Sequence, residues 1–193
     1  GAAIGSAIPG VGTVLGGVIG GIAGGGLGSL FGGSTPSRAI DRRFGLRDGR
    51  VVVTAAPSDE ASEEQERAFD RVAQVVPQRI NQFVESIGAS LRDIPRIIIA
   101  QTRRAGTRVG VEGVTGMSEF DRQRVGNLEE AVDFAIRESL QRADFGGLSR
   151  LTRRALGRSL ALHDGDLNAV QQDVALARTG QQLERQRREG AEG

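Results

Sequence analysis

The apolar and polar positions of this chain divide it into an uncharged run, a mixed middle and a helical end. The first 37 residues carry no charged side chain, and Gly12, Gly16, Gly20, Gly24, Gly28 and Gly32 recur at every fourth position with mostly aliphatic residues between them. A four-residue step stacks these glycines on one helical face, where two helices can bring their backbones together with no Cβ in the way. In water each such glycine costs roughly 1 kcal/mol against alanine in an exposed helix. The ladder therefore predicts a glycine-zipper helix sheltered by lipid or by tight packing, with Val11 to Phe31 spanning about 30 Å, close to the hydrocarbon thickness of a bilayer. Pro9-Gly10 marks a turn, so Ala2 to Ile8 can form the other arm of a helical hairpin, and Gly32-Gly33-Ser34-Thr35-Pro36 ends the run.

Arg38, Arg42, Arg43, Arg47 and Arg50 follow, with only Asp41 and Asp48 against them. Such a run suits the cytoplasmic face of a membrane, with Arg38, Arg42 and Arg43 as its basic flank, and suits a solvated linker equally well. Asp48-Gly49 signals a turn, and Arg50 to Thr54, β-branched and short, predicts a strand. The acidic run from Asp59 to Glu66 leads into Phe69, Val72, Val76, Ile80, Phe83 and Ile87, one apolar stripe on a helix over about 60–87. Ser58 or Ser62 can cap it, Pro77 should kink or split it, and Gly88 is placed to end it. Arg96 to Ala100 and Thr107 to Val114 predict two more strands around a loop at Gln101 to Gly106, giving a small three-stranded sheet with the long helix on one face.

From Asn127 the pattern is helical. Leu128, Ala131, Val132, Ala135, Ile136 and Leu140 form one stripe, ended by Asp144-Phe145-Gly146-Gly147. Leu148, Leu151, Leu156 and Leu160 form a shorter one. Leu162 to Asp166 is a turn, and Asp166 caps a last helix from Leu167 to about Arg188, marked by Val170, Val174 and Leu183 and running into a solvated tail at Glu184 to Glu189. The predicted fold is α+β, mainly α with a small sheet. Its segments are 1–33 (the apolar ladder), 34–57 (basic linker and short strand), 58–115 (amphipathic helix with hairpin) and 116–193 (helical region).

Composition narrows the chemistry. Twenty-five basic residues, all Arg, face 24 acidic ones, so the formal charge of +1 implies no strong electrostatic partner. With no Cys and a single His there is no disulfide, no Cys-His pair and no two-histidine zinc site within one chain. His163 lies in a polar turn, and Asp164-Gly165-Asp166 lacks the ligand spacing of a calcium loop. The G-x-G-x-x-G-like strings from Gly10 onward follow no strand, and without Lys there is no Walker lysine. The pairs Arg42-Arg43, Arg103-Arg104, Arg153-Arg154 and Arg187-Arg188 are dispersed among acids and without stacking aromatics, leaving at most weak, non-specific contact with DNA. The residues thus predict no catalytic, cofactor or metal site, and a chain that is not an enzyme. The start within the apolar run, without an initiator Met, fits the last part of a longer protein or a piece excised from it.

Residues 1–13, Gly-Ala-Ala-Ile-Gly-Ser-Ala-Ile-Pro-Gly-Val-Gly-Thr, continuing through the G-x-x-x-G steps to Ser29-Leu30-Phe31-Gly32-Gly33, resemble the apolar glycine-rich segment near the C-terminus of tail tape measure proteins of long-tailed bacteriophages and gene transfer agents. Asn127-Leu128-Glu129-Glu130-Ala131-Val132, Ala143 to Ser149, Ala155-Leu156, Asp166-Leu167 and Asp173-Val174 are similar to the helical C-terminal regions of the same family. The resemblance implies a structural virion protein involved in tail assembly and genome ejection, lying inside the tail near its tip. It implies self-association as a trimer or other small axial oligomer, contact with tail-tube and tip or hub proteins, and a role for the apolar segment at the host membrane, in lipid or periplasm, after ejection. The long measuring helix of such proteins is not within this sequence. Glycine zippers also occur in pore-forming toxins and bacteriocins, which keeps that class as the alternative, ahead of a muralytic tail enzyme.

Overall fold

The computed structural model describes residues 39–58, 61–163 and 166–192, an α+β arrangement of seven strands and four helices among those residues. The glycine ladder, Gly12 to Gly32, and Arg38 lie outside the described residues.

Strands β1 (Ile40–Arg47) and β2 (Arg50–Ala55) form a hairpin through Asp48-Gly49. Both turn residues have positive φ, 53° and 77°, which is the two-residue turn whose twist matches that of paired strands. Helix α1 (Glu63–Ser86) starts at Ser62, whose side chain accepts from Gln65 N while Gln65 reaches back to the Ser62 N–H. It stops at Gly88, φ 66°, where Gly88 N bonds Glu85 O and Ala89 N bonds Val84 O, the paired closure that a left-handed residue permits. Pro77 neither splits nor ends α1. Val72, Val76, Ile80 and Phe83 are all buried on its two sides, so core packing outweighs the one backbone bond that proline removes.

Strands β3 (Ser90–Asp93), β4 (Ile97–Thr102), β5 (Gly106–Val111) and β6 (Gln123–Val125) precede α2 (Leu128–Arg142), β7 (Asp144–Gly146), α3 (Arg150–His163) and α4 (Leu167–Glu192). The main sheet has five antiparallel strands, in the order β2-β1-β4-β5-β6, rather than the three expected. Of the two added strands, β1 falls in what was read as a basic linker and β6 in what was read as the helical region. Asp144 to Gly147, read as the end of the preceding helix, does end it and also contributes β7, which pairs with β3 in a small second sheet.

Register sorts the side chains. Leu46, Phe44 and Ile40 of β1 share the inner face with Val51, Ile97, Ile99, Val109 and Val111, and α1 and α2 cover that face. The helical hairpin α3–α4 closes the end of the helix layer, with Gln171 Nε2 donating to Ser86 Oγ at 2.8 Å and Gln141 Nε2 to the Leu160 carbonyl at 3.5 Å. One core cluster runs from Ile40 to Val174, so the boundaries at 57 and 115 fall inside a single body. Leu151, expected in the buried stripe, is 56% exposed, because Thr152 and Leu156 occupy the inward positions of α3. Helix α4 continues through the expected tail to Glu192.

Edge strand β2 is closed at one end by α1. Asn81 Oδ1 accepts from Val51 N at 2.9 Å and Asn81 Nδ2 donates to Val51 O at 3.0 Å, so one buried side-chain amide stands in for a neighbouring strand. Asn81→Ala leaves both backbone groups without partners and is expected to lower the unfolding free energy by about 2 to 4 kcal/mol in urea titration.

Candidate functional site

Two consecutive arginines mark the point where the uncharged segment enters the domain, and strand alternation sends them to opposite faces. Arg42 points inward and is 3% exposed. Its Nη2 lies 2.9 Å from Glu66 Oε2 and 3.2 Å from Asp70 Oδ1, both on the first turns of α1. Its Nη1 donates to the Asp41 carbonyl at 3.0 Å and to Ser58 Oγ at 3.3 Å, and the guanidinium carbon stands 5.7 Å from the centre of the Phe69 ring. Arg42 is therefore not part of a membrane-facing basic flank. The acidic first turns of α1 draw it inside, where four acceptors satisfy it. Its partners are partly exposed, 38% for Glu66 and 68% for Asp70, so the arginine is the member held away from water.

Arg43 points outward, half exposed, with Nε 3.5 Å from Asp41 Oδ1. It lines a cleft of about 480 Å³ on the outer face of the sheet, with Thr54, Arg96, Ile98, Met117 and Arg122. The register explains the placement, since Ala55, Arg43, Ile98 and Gly110 lie in one line across β2, β1, β4 and β5. Thr54 is the extra residue of a bulge opposite Arg43 and Phe44, and its methyl would lie 3.2 Å from any Cβ at position 45, which Gly45 lacks. The chain between β5 and β6 crosses this face, resting on Gly110, where a Cβ would meet Arg122 Cγ at 3.2 Å and Met117 Sδ at 3.3 Å. Arginines pin that crossing. Arg122 Nε donates to Met117 O at 2.9 Å, and Arg108 Nη1 donates to the carbonyls of Phe120 at 2.9 Å and Arg122 at 3.2 Å. Burial lowers the pKa of Arg122 below its ordinary value; Asp41 works against this, Arg43 adds to it and Glu119 works against it. Nothing in the sequence pointed to Thr54, Met117 or Arg122.

The third polar centre joins α3 to α4. Ser159 Oγ donates to Asp173 Oδ2 at 2.7 Å, and His163 Nε2 lies 2.9 Å from the same oxygen. A serine nucleophile needs the histidine as its base, whereas here both groups bond the carboxylate and the serine is not activated. The arrangement is a staple across the hairpin. A fourth polar group, Arg79, is buried between α1 and α2, where desolvation lowers its pKa against the raising effects of Asp133 and Glu129. Among the described residues no group of His, Cys, Asp or Glu could hold a metal ion, and no helix is long and apolar enough to cross a membrane. Comparison with protein-family models, with curated proteins and with solved structures returns no match for this chain.

Two outcomes follow from these contacts. Glu66→Gln combined with Asp70→Asn leaves the buried Arg42 charge uncompensated and should cost about 3 kcal/mol in denaturant titration, whereas Arg42→Met, which removes the charge and fills the space, should cost less. The hydrogen bonds from Ser159 and then His163 hold the Asp173 carboxyl below its ordinary value of 3.8. A depressed folded-state pKa adds stability above the unfolded value, and that stability is lost as pH falls through the folded value. Thermal melts should therefore show the wild type losing more stability than Asp173→Asn as pH is lowered from 5 through about 4 and below.

Proposed function

We propose that this chain is the tip-proximal C-terminal part of a tail tape measure protein of a long-tailed bacteriophage or gene transfer agent, with a structural role in tail assembly and in delivery of DNA across the host membrane. One observation carries this reading: six glycines at four-residue spacing within 37 uncharged residues, ending shortly before a strand, Ile40–Arg47, that is clamped to α1. The pattern supplies a helix face for close backbone contact between copies or within a bilayer. The Arg42 cluster supplies a fixed point from which such a segment can be held. The domain behind it presents a packed core, and its serine, histidine and aspartate are disposed as a structural staple.

In this role several copies lie about the tail axis, in contact with tube and hub proteins, and the apolar segment passes to the host membrane on ejection. The test uses particles carrying Gly20→Leu with Gly24→Leu. Bulky side chains on the ladder should leave the particle count and tail length seen by electron microscopy unchanged while DNA entry, measured as potassium efflux and plating efficiency, falls. Unchanged infectivity, or absence of the chain from purified tails by mass spectrometry, overturns the reading.

A further inference from the structure

We propose that the outer-face cleft binds a small phosphomonoester, its phosphate held between the terminal nitrogens of Arg43 and Arg122 and its apolar part lying on Ile98 and Met117.

The argument starts from register. Arg43 on β1 and Gly110 on β5 flank Ile98 on β4, so the two strands that frame the floor stand about 10 Å apart. Arg122 lies over Gly110 and faces Arg43 across Ile98. Arg122 is anchored through its Nε to the Met117 carbonyl, Arg43 makes a looser 3.5 Å ion pair from Nε to Asp41, and the terminal nitrogens of both have no acceptor among the described residues. Two forks of free donors facing one space match the oxygens of a phosphate better than a point charge would.

The composition of the walls points the same way. No acidic residue lines the cleft. Glu112 is turned to Arg96 at 2.6 Å, and Asp41, the carboxylate that acts on both Arg43 and Arg122, is outside the lining. Thr54, placed by the bulge, and Ser118 add hydroxyls to the same lining. Burial and Arg43 disfavour the Arg122 charge while Asp41 and Glu119 favour it, so an anion between the two arginines offsets the desolvation that Asp41 and Glu119 leave uncompensated. A volume of about 480 Å³ exceeds the needs of phosphate alone, and the apolar floor of Ile98, 7% exposed, and Met117 accommodates a small hydrophobic body attached to it.

Met117 is the sole methionine of the chain, so its methyl gives a single reporter signal within the cleft. The full 193-residue chain, labelled at the methionine methyl, is titrated with phenyl phosphate, with inorganic phosphate and with sodium chloride at matched ionic strength. The expected result is a saturable shift in the millimolar range with phenyl phosphate, tighter than with inorganic phosphate and absent with chloride. Arg43→Gln, at a half-exposed position and with its fold checked by circular dichroism, weakens binding about tenfold. Arg122→Lys keeps the charge, loses the fork and weakens it as well, while Arg103→Gln on the exposed β4–β5 turn leaves it unchanged. A shift reproduced by chloride, equal affinity for the two phosphates, or wild-type binding by folded Arg43→Gln overturns the proposal.

Discussion

Burial of the Arg42 guanidinium on the inner face of the sheet sets the terms for the rest of the domain. Removing such a charge from water costs roughly several kcal/mol, and the cost is offset only when geometry supplies acceptors on all sides. Here they come from three places: the backbone of β1 itself, Ser58 after β2, and Glu66 and Asp70 on α1. The observed placement satisfies them together, with β1 between β2 and β4 and the acidic start of α1 above it. The hairpin, the sheet order and the position of α1 are thus tied to one side chain.

That tie lies where the uncharged segment meets the domain. Tension or insertion acting on residues before Ile40 is delivered to β1, which is hydrogen-bonded on both sides, and through Arg42 to a 24-residue helix. An edge strand would peel at much lower cost, since it holds partners on one side only. A central strand backed by ion pairs suits a domain whose task, on the proposed reading, is to hold an apolar segment in place.

The sequence disclosed what repeats. The α1 stripe from Phe69 to Phe83 and the α2 stripe from Leu128 to Leu140 are buried as their spacing requires, Ser62, one of the two serines offered as a cap, begins α1, and Gly88 ends it. Strands β4 and β5 were legible from Ile97 to Ile99 and from the alternation around Val109. Strand β1 was not, because the inward series Ile40, Arg42, Phe44, Leu46 has a charge where period-two reasoning asks for an apolar residue. Strands β3 and β7 are too short to carry a period at all, and their pairing joins residues over 50 positions apart. The cleft was illegible for a further reason: which face of a sheet a connection crosses is decided by twist and packing, and the spacing of Gly45 and Gly110 does not show which side chains come to rest against them.

The two faces of the sheet are closed by different means, and this difference explains why one arginine is sealed and its neighbour is not. Helices α1 and α2 present continuous apolar stripes that fill the inner face, so any polar side chain there must bring its acceptors with it, as Arg42 does. Among the described residues the outer face is covered by a single irregular crossing that carries its own backbone polarity and is fastened by Arg108 and Arg122. One loop cannot close a five-stranded surface, so a cleft is left between the loop and the β1–β2 hairpin. Strand alternation then points Arg43 into that cleft as an unavoidable consequence of Arg42 pointing away from it. Two residues of the same type, one peptide bond apart, thereby acquire unlike roles: one holds the domain together, and the other offers a charge to whatever enters from outside.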